Sequence, residues 1–438
     1  MFVVSPREKV RSPAPADSPS IGADPIDPDA PLSRPPAVVL GLNPNGLGLV
    51  RSLTQVGIRV IAVGRAPMDT SDTHLWMSSR TRLCGKVLVE PSGGDAAFLE
   101  ALDLVAADLT EPAPVFPSGD SFLYLLSKHR ERLAPHFRFV LPDPETLELL
   151  LQKGRFHAFC EREEIAAPAT AVGLTSGTLD EVLPGFRFPC LLKPEYRDAR
   201  WDGRFAPAKA LVAENAEELR SHVGEAEATG ADLMLQEIIP GPDTELHFSH
   251  AYFGRDSRPV ALWTGRKLRQ YPPGFGTSTL AETKREPEVA RITERIALAL
   301  GLRGYVSVEF KRDHRDGSFR ILEVTPGRTW YPHFLGTTAG INLPHLWYRD
   351  LLDESLPDQP PLHPPDGIAW IDEYRDLVAA FESWQRGEIG LGQWLRSYEG
   401  VRSFALFSPL DPLPGLFVMA RLALSIFRKF GGARPSVS

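Results

Sequence analysis

Two glutamates, Glu309 and Glu323, are the residues whose types and spacing most clearly predict chemistry in this sequence. Each lies in a short segment of strand-like alternation, and the polar stretch between them contains Asp316-Gly317, a strong hairpin signal. Antiparallel pairing of these strands would bring both carboxylates close together on one face. Carboxylates that close repel each other unless a proton, a basic side chain or a metal lies between them. The hairpin predicts either a Mg²⁺ site that also holds nucleotide phosphates or two exposed strand glutamates.

Length and charge limit the classes of protein to which the chain can belong. With 438 residues it is too long for one ordinary core, which predicts two or three domains. Its 48 basic and 56 acidic residues give a net charge of −8, and no segment carries a basic stripe, so we expect no nucleic-acid partner. Three widely spaced cysteines, Cys84, Cys160 and Cys190, predict a cytoplasmic protein without a disulfide framework.

The first 145 residues predict a disordered tail followed by a Rossmann-like domain. Residues 1–36 are rich in Pro, Asp, Ala and Ser and show no apolar periodicity, which is typical of disorder. Residues 37–145 begin with a βαβ pattern, the start of a parallel sheet. Further elements are predicted at 86–89, 114–116 and 138–141 for strands and at about 95–107 and 120–133 for helices.

The turn after the first strand leaves a nicotinamide cofactor open as an alternative. Gly41, Gly46 and Gly48 follow that strand but do not have the GxGxxG spacing of dinucleotide-binding folds. Arg65, at the end of the second strand, could receive the 2′-phosphate of NADP. An NADP-dependent oxidoreductase is one interpretation, and a degenerate Rossmann-like layer without a cofactor is the other.

Residues 146–355 show the pattern of a second, larger domain. A helix is predicted at about 146–164, with Lys153 near its start, and a compact lid lobe at about 185–239. One lid strand ends in Lys193, whose ammonium is either an ordinary surface charge or a partner for nucleotide phosphates. The predicted set is completed by strands at 189–193, 209–212, 232–237, 245–253 and 258–264, by helices at about 215–229 and 286–300, and by the hairpin at 305–324.

Residues 356–438 are predicted to form a C-terminal extension. The stretch 356–365 is rich in proline, which marks a domain boundary or a semi-rigid linker. The apolar run 416–429 is interrupted by Arg421 and is shorter than the ~20 residues of a membrane span. Two interpretations stay open for this terminal amphipathic helix: packing on the core or on a partner subunit, and peripheral contact with a membrane surface.

One ordered set of residues resembles a known family. In chain order the set is Lys153, Lys193, Gln236-Glu237-Ile238-Ile239, Glu309 and Glu323. This order and spacing resemble the ATP-grasp superfamily over roughly residues 37–352. The segments 266–273 and 339–344 make the chain most similar to the predicted carboxylate–amine ligase branch of that superfamily.

The resemblance implies a fold, a reaction and its partners. The fold class is α/β plus α+β, with a Rossmann-like pre-ATP-grasp domain at 37–145, a two-lobed ATP-grasp domain at 146–355 and the extension at 356–438. The reaction implied is ATP-dependent: a small-molecule carboxylate becomes an acyl phosphate, which an amine or a thiol then displaces. Mg²⁺, or Mn²⁺ in its place, accompanies ATP. A homodimer is also common among such proteins.

The resemblance assigns a role to each candidate residue. It implies that Lys153 and Lys193 bind the nucleotide phosphates. Gln236, Glu237 and the backbone around Ile238 and Ile239 would bind the adenine, and Glu245 would bind the ribose. Metal binding falls to Glu309, Glu323 and Thr325. The candidate catalytic residues Lys267, Arg269 and Arg328 would bind the γ-phosphoryl group or the substrate carboxylate.

Three departures from the family pattern keep a non-catalytic ATP-binding or regulatory module open as the main alternative. Thr325 stands where the family has asparagine, and Gly327 is an extra residue that shifts Arg328. The loop 194–208 lacks a polyglycine phosphate flap. In that loop, Arg197, Arg200 and Arg204 either replace the backbone amides of the flap or are simply solvated.

Three further positions carry two interpretations each. Asp120, in Ser118-Gly119-Asp120, either lies where sheet folds bind ligands or is an ordinary helix N-cap. The loop 274–279 either lines an acceptor pocket or is a solvent-exposed hairpin loop. His333 either approaches the γ-phosphate or is a structural histidine.

Overall fold

The computed structural model describes residues 34–66, 73–90, 93–196, 199–206 and 208–431. The predicted tail of residues 1–36 lies outside this range except for its last three residues, and so does Arg197. From Arg34 onward the chain forms one compact unit. Three sheets organise the described part of that unit.

The first sheet is parallel and forms the predicted Rossmann-like layer. The four residues of its central strand, Ala37–Leu40, are fully buried, as expected for a strand covered on both faces. In sheet order the strands are β3 (Gly85–Val89), β2 (Val60–Arg65), β1 (Ala37–Leu40), β4 (Ala113–Pro117) and β5 (Phe137–Arg138). The helices of this layer are α1 (Pro44–Thr54), α2 (Thr73–Ser78), α3 (Gly94–Ala107), α4 (Asp120–Lys128) and α5 (Arg130–Leu133).

Two predicted elements of this layer differ from the structure. The helix predicted at 120–133 is divided into α4 and α5, because His129 leaves helical geometry between them, with φ −110° and ψ 25°. The strand predicted at 138–141 is limited to the two residues of β5. Pro142, which has no backbone N–H to donate to a sheet, follows shortly after.

The second sheet carries the glutamate hairpin. In sheet order its strands are β14 (Phe319–Pro326), β13 (Gly304–Arg312), β10 (Leu246–Phe253), β11 (Pro259–Tyr271), β12 (Thr277–Thr283), β15 (Ala369–Ile371) and β16 (Val401–Phe404). All neighbours pair antiparallel except β15 and β16, which are parallel. The hairpin predicted at 305–324 is confirmed, and Gly317 in its turn has the positive φ of +74° that glycine tolerates.

Apolar clusters on both sides fix this large sheet. Helix α11 (Pro287–Ala299) buries Val289, Ile296 and Ala297 against one face. A 3₁₀ turn at Asp243–Glu245 precedes β10. The helices α12 (Phe334–Thr338) and α13 (Leu343–Leu351) join a cluster that includes residues of α1 and the fully buried Trp263 and Trp347. The Rossmann-like layer and the large sheet therefore share one continuous core.

The third sheet is the predicted lid. In sheet order its strands are β6 (Thr170–Val172), β9 (Leu233–Glu237), β7 (Cys190–Pro194) and β8 (Leu211–Ala213). Its helices are α8 (Leu179–Val182), α9 (Ala199–Phe205) and α10 (Ala216–Glu227), with a 3₁₀ turn at Leu183–Gly185. The sheet therefore extends beyond the predicted range 185–239 to include β6. The predicted loop 194–208 contains α9, because Trp201 is fully buried in the lid core.

A break at Gln152 positions the first candidate lysine. The single helix predicted at 146–164 is two helices, α6 (Pro144–Leu151) and α7 (Lys153–Arg162). Gln152 between them is extended, with φ −89° and ψ 111°. Lys153 is consequently the first residue of α7 rather than an interior helical residue.

The C-terminal residues return to the large sheet. After the proline-rich stretch they supply β15 and β16, together with the helices α14 (Glu373–Gln385), α15 (Leu391–Arg396) and α16 (Pro412–Gly431). Because β15 pairs with β12, the stretch 356–365 leads back into the same sheet instead of into a separate body. Among the described helices, none combines the length and the apolar character that crossing a bilayer requires.

Candidate active site

A cleft of about 690 Å³ lies between the lid sheet, the large sheet and helix α4. It brings together most of the residues that the sequence singled out. The predicted residues that line it are Lys153, Lys193, Gln236, Glu237, Ile238, Ile239, Glu309 and Glu323. Residues 274–277 also line it, whereas an acceptor pocket at the loop 274–279 stays a prediction.

Glu309 and Glu323 lie directly opposite each other in the hairpin. A β-bulge follows, because Phe310 pairs with Ile321 and leaves Leu322 as the extra residue. Glu309 is half-buried, whereas the side chain of Glu323 is exposed to the cleft. The surrounding protein still crowds it: burial raises the pKa of Glu323, and the charge of Glu309 raises it further. These carboxylates repel each other, and a divalent cation would relieve that repulsion.

The residues at this position fit a Mg²⁺ ion that shares its ligands with a nucleotide. Within the ranges that the structure describes, no group of three or more His, Cys, Asp or Glu residues is arranged to hold a metal. The protein therefore offers the two carboxylates of Glu309 and Glu323. Mg²⁺ is usually bound by one or two carboxylates together with water and substrate phosphates, so this donor set suits it.

Lys267 is a buried counter-ion for Glu309. Its Nζ donates to Glu309 Oε1 at 2.8 Å and to Gln270 Oε1 at 3.3 Å. The residue is 1% exposed, and Nζ lies 5.4 Å from the centroid of the Trp330 ring. Lys267 does not line the cleft. It therefore neutralises one candidate metal carboxylate, instead of facing the γ-phosphoryl group as the resemblance implied.

A hydrogen-bonded chain of three side chains holds Lys193. Its Nζ donates to Gln236 Oε1 at 2.6 Å, and Gln236 Nε2 lies 2.7 Å from His157 Nε2. Burial and the charge of Lys193 lower the pKa of His157 to about 4, so the imidazole is neutral and accepts the amide hydrogen. The sequence analysis missed His157, although its position one helical turn after Lys153 was a usable signal.

Two of the lysines that line the cleft, Lys153 and Lys193, repel each other. The pKa of Lys193 is lowered to about 7, chiefly by burial and also by the charge of Lys153, while the charge of Glu323 opposes the shift. Lys153 Nζ also donates to the carbonyl oxygen of Pro194 at 3.3 Å. Two ammonium groups that repel each other across a cleft suit a ligand with several negative charges, such as a di- or triphosphate.

The Glu237 side chain has a structural partner. Its Oε1 accepts from Arg315 Nη1 at 2.5 Å, and its Oε2 accepts from the backbone N–H of Ala169 at 3.3 Å. These contacts tie the end of β9 to the hairpin loop and to the start of β6. The backbone at Ile238 and Ile239, which also lines the cleft, is then the part of this segment that can meet a base edge.

Two predicted residues lie beside the cleft without lining it. Glu245 is within 3.9 Å of His247 Nε2 and 3.5 Å of His314 Nε2. Thr325 lies opposite Ser307 and is 4% exposed. Thr325 is two residues from Glu323 on β14 and therefore points to the same face of the sheet. Ribose binding by Glu245 and metal binding by Thr325 stay predictions.

Arg269 is occupied by the C-terminal residues. Its Nη1 donates to Asp376 Oδ2 at 2.6 Å and its Nη2 donates to Ser397 Oγ at 2.8 Å. Asp376 is fully buried and also accepts from Thr279 and Tyr398. Arg269 does not line the cleft, so the structure places it in a buried ion pair and not among the reacting groups.

Arg328 reaches across to the Rossmann-like layer. Its Nε donates to Asp120 Oδ1 at 2.6 Å and its Nη1 donates to the carbonyl oxygen of Thr329 at 3.0 Å. Asp120 is the first residue of α4 and Gly119 is the N-cap, so the N-cap interpretation of Asp120 is wrong. Asp120 lines the cleft, whereas Arg328 does not.

The lid arginines are engaged on the lid itself. Arg200 donates to the carbonyl oxygen of Gly230 at 2.6 Å, and Arg204 pairs with Glu225 at 2.8 Å. Neither lines the cleft. Of the two interpretations for these arginines, replacement of the phosphate flap has no support at these two positions.

The glycine turn after β1 is covered by other parts of the protein. His333 Nε2 lies 3.0 Å from the carbonyl oxygen of Asn45. A Cβ atom added at Gly48 would come within 2.7 Å of that same nitrogen. Burial lowers the pKa of His333 to about 4, which makes it a neutral structural histidine. His333 therefore occupies the space beside Gly48, which disfavours a dinucleotide at this position of the turn.

Comparison with known proteins identifies relatives in sequence and in structure. No family model matches the chain. It is 24% identical to the D-aspartate ligase of Enterococcus faecium (strain Aus0004) over 331 residues, which cover 72% of this chain and 76% of that protein.

Solved structures share its fold at low identity. The L-amino acid ligase from Bacillus licheniformis superposes with a TM-score of 0.55 at 15% identity and covers 76% of this chain and 79% of its own. The biotin carboxylase domain dimer of the 2-oxoglutarate carboxylase from Hydrogenobacter thermophilus, solved with MgADP, ADP and bicarbonate, superposes with a TM-score of 0.55 at 14% identity. That match covers 73% of this chain and 70% of the other.

Proposed function

We propose that this chain, which belongs to the ATP-grasp superfamily, is an ATP-dependent ligase that joins a small-molecule carboxylate to an amine. The observation that carries the proposal is the single cleft that contains Lys153, Lys193, Glu309 and Glu323. Cations at one end and paired carboxylates beside them are what a magnesium nucleotide requires.

Each part of the cleft has a proposed task. Lys153 and Lys193 bind the phosphates, and the backbone at Ile238 and Ile239 meets the adenine. Glu309 and Glu323 hold Mg²⁺, or Mn²⁺ in its place, and Lys267 donates a hydrogen bond to Glu309. We assign no direct contact with substrate to Arg269, because its guanidinium is paired with Asp376.

The proposed reaction needs positioning and cations more than acid–base groups. The substrate carboxylate attacks the γ-phosphorus of ATP, which gives an acyl phosphate and ADP. An amine then attacks the acyl carbon and phosphate leaves. Phosphoryl transfer places negative charge on oxygens that Mg²⁺ and lysines can stabilise. Formation of the acyl phosphate therefore requires only the substrate carboxylate as nucleophile and the cations of the cleft.

We also propose a cytoplasmic setting. Cys84, Cys160 and Cys190 are free thiols, and burial raises the pKa of Cys84 and Cys160 to about 12 and that of Cys190 to about 11. Thiols that stay protonated are slow to oxidise, and free cysteines are typical of reducing compartments. Membrane contact through α16 and a homodimer stay predictions from the sequence.

Substitution of Glu323 by Gln tests the assignment of the metal carboxylates. We expect Glu323→Gln to weaken MgADP binding by roughly ten-fold or more, because the neutral amide is a poorer ligand for a hard cation. Binding measured by calorimetry with and without Mg²⁺ separates loss of the metal site from general damage. Glu225→Gln, at an exposed position on the lid, is the matched control. Equal MgADP binding by wild type and Glu323→Gln would contradict the metal assignment.

Turnover distinguishes a ligase from a non-catalytic module. Wild type is incubated with MgATP, pools of small carboxylates and pools of amines, and ADP release is followed. We expect release that depends on both pools. Nucleotide binding without substrate-dependent ADP release would favour the regulatory module instead.

A further inference from the structure

Asp120 supplies a carboxylate to the wall of the cleft from outside the two nucleotide-binding sheets. It begins α4 in the Rossmann-like layer, and its side chain is 49% exposed. None of the tasks proposed above uses it. The same cleft is lined by five other acids, and their charges disfavour an exposed carboxylate unless positive groups lie nearby.

Arg328 fixes one oxygen of Asp120 and leaves the other open. Arg328 Nε donates to Oδ1 at 2.6 Å, and the Arg328 side chain is 9% exposed. The carbonyl oxygen of Thr329 accepts from Nη1 and holds the guanidinium in place. Asp120 Oδ2 has no hydrogen-bond partner within the described ranges. The buried arginine therefore presents an oriented, unoccupied acceptor to the cleft.

Aromatic side chains line the same cleft as this acceptor. Tyr124 lies one helical turn after Asp120 on the same face of α4 and also lines the cleft. Burial raises the pKa of Tyr124 to about 12, with contributions from Tyr196 and Asp120, so its hydroxyl stays neutral. Trp330 lines the cleft as well. A carboxylate beside aromatic rings is a recurrent way to recognise an organic ammonium group.

Asp120 is also close to the candidate metal site. Its charge is among those that raise the pKa of Glu323, and the charge of Arg328 acts on Glu323 in the opposite direction. A group bound at Asp120 Oδ2 would therefore lie near the end of the cleft where Glu309 and Glu323 hold the metal, which is where the acyl phosphate forms in the proposed reaction.

We propose that Asp120 binds the ammonium group of the amine substrate and that Arg328 is the positioning residue that orients the Asp120 carboxylate. The substrate class is then a primary amine that is a cation in solution, such as the amino group of an amino acid. This inference rests on the proposed ligase function and specifies its second substrate.

The chemistry of the second step balances with a cationic amine. Three protons arrive on the ammonium nitrogen. One stays on the amide nitrogen when the C–N bond forms, one leaves with phosphate as the C–O bond of the acyl phosphate breaks, and one is released to water. Asp120 Oδ2, as a hydrogen-bond acceptor on the ammonium, lies on the path of the released proton.

The test uses the full-length protein and hydroxylamine, which is uncharged at neutral pH and traps acyl phosphates as coloured hydroxamates. A panel of carboxylates with MgATP and hydroxylamine first identifies a carboxylate that the protein activates. Amino acids and simple amines are then added as competitors, and the concentration that halves hydroxamate formation is measured.

We expect the best competitor to be a cationic primary amine. Asp120→Asn should raise its half-effective concentration roughly ten-fold or more, because a hydrogen bond between two charged groups is lost. Asp120→Glu, which keeps the charge, should recover part of the effect, as should Arg328→Lys relative to Arg328→Met. Asp103→Asn, which removes an exposed carboxylate on α3, is the matched control and should change nothing.

The outcomes separate the two levels of the proposal. No hydroxamate with any carboxylate overturns the ligase function and this inference with it. Hydroxamate formation combined with an unchanged half-effective concentration in Asp120→Asn overturns the inference alone. So does a best competitor that carries no ammonium group, or an Asp120→Glu variant that behaves like Asp120→Asn.

Discussion

Lys267 reaches past strand β10 to make an ion pair with Glu309, with 2.8 Å between Nζ and Oε1. The two residues lie on β11 and β13, and the lysine is 1% exposed. The pair explains how two carboxylates can face each other in one hairpin without a metal. Lys267 pairs with Glu309 from inside the sheet, whereas Glu323 is exposed to the cleft.

Removal of this counter-ion should destabilise the protein. We expect Lys267→Met to lower the free energy of unfolding by about 3 kcal/mol, because a half-buried carboxylate loses the buried cation that is hydrogen-bonded to it. Urea unfolding followed by circular dichroism measures the change. Lys284→Met, which breaks the exposed pair with Asp366, should cost less than about 1 kcal/mol.

A double variant tests the cause of that loss. Glu309→Gln placed in the Lys267→Met background should recover part of the stability, because it removes the unpaired charge. If the losses of unfolding free energy in the two single variants simply add in the double variant, then packing around Lys267, and not its charge, stabilises the sheet.

Nucleotide binding should take up a proton at alkaline pH. The pKa of Lys193 is lowered to about 7, first by burial and then by Lys153, so at pH 8 the free protein holds this amine mostly neutral. Phosphates bound beside it would favour the ammonium form and raise that pKa again. Binding of MgADP should then take up about one proton at pH 8 and almost none at pH 6.

Calorimetry in two buffers with different ionisation enthalpies counts these protons. Affinity should also fall as pH rises above 7, because a smaller fraction of Lys193 is then in the ammonium form that favours phosphate binding. Lys193→Met should abolish the uptake. Proton uptake that persists in this variant would place the titrating group elsewhere.

Arg269 should matter for stability and not for turnover. Arg269→Met leaves the fully buried Asp376 without its cation, so we expect the free energy of unfolding to fall by about 3 kcal/mol. At a temperature well below its midpoint, kcat should change less than two-fold, or roughly 0.4 kcal/mol. Arg266→Met, which breaks a half-exposed pair with Glu282, is the control for loss of charge on the same strand. A hundred-fold loss of kcat in Arg269→Met would indicate that Arg269 takes part in the reaction after all.

Glu373 should make the stability depend on pH. Burial raises its pKa to about 7, whereas an unfolded glutamate titrates near ~4.3. The protonated form therefore favours folding, and this contribution is fully present below about pH 4.3 and is lost as pH rises through 7.

The comparison with Glu373→Gln isolates that effect. Between pH 5 and pH 8 the free energy of unfolding of wild type should fall by about 2 kcal/mol relative to the variant. The Gln carbonyl oxygen can still accept from the backbone N–H groups of Leu406 and Phe407, as the carboxylate does. Parallel pH profiles for the two proteins would show that Glu373 titrates normally.

The sequence was a good guide wherever local pattern decides the outcome. Alternation around Glu309 and Glu323, with Asp316-Gly317 between them, was sufficient to predict both the hairpin and the proximity of the carboxylates. The βαβ start, the lid strands and α11 followed from the same kind of local periodicity. The eight predicted residues that line the cleft were found through the order of motifs along the chain.

Long-range partners were beyond such reasoning. Arg269 pairs with Asp376, 107 residues later, and Arg328 pairs with Asp120, 208 residues earlier. No local sequence pattern predicts which arginine contacts a substrate and which one pairs with an acidic residue of the protein. The helix break at Gln152 and the return of residues 369–371 to the sheet depend in the same way on tertiary packing rather than on propensity.

The position of β15 beside β12 affects how the protein is made. Strands β10 to β14 are complete once residue 326 has left the ribosome, but the outer edge of β12 pairs only with residues 369–371, and β16 follows at 401–404. During synthesis β12 therefore presents unpaired backbone N–H and C=O groups on a sheet that is otherwise formed. Chains stalled between residues 330 and 368 should be the ones that chaperones retain.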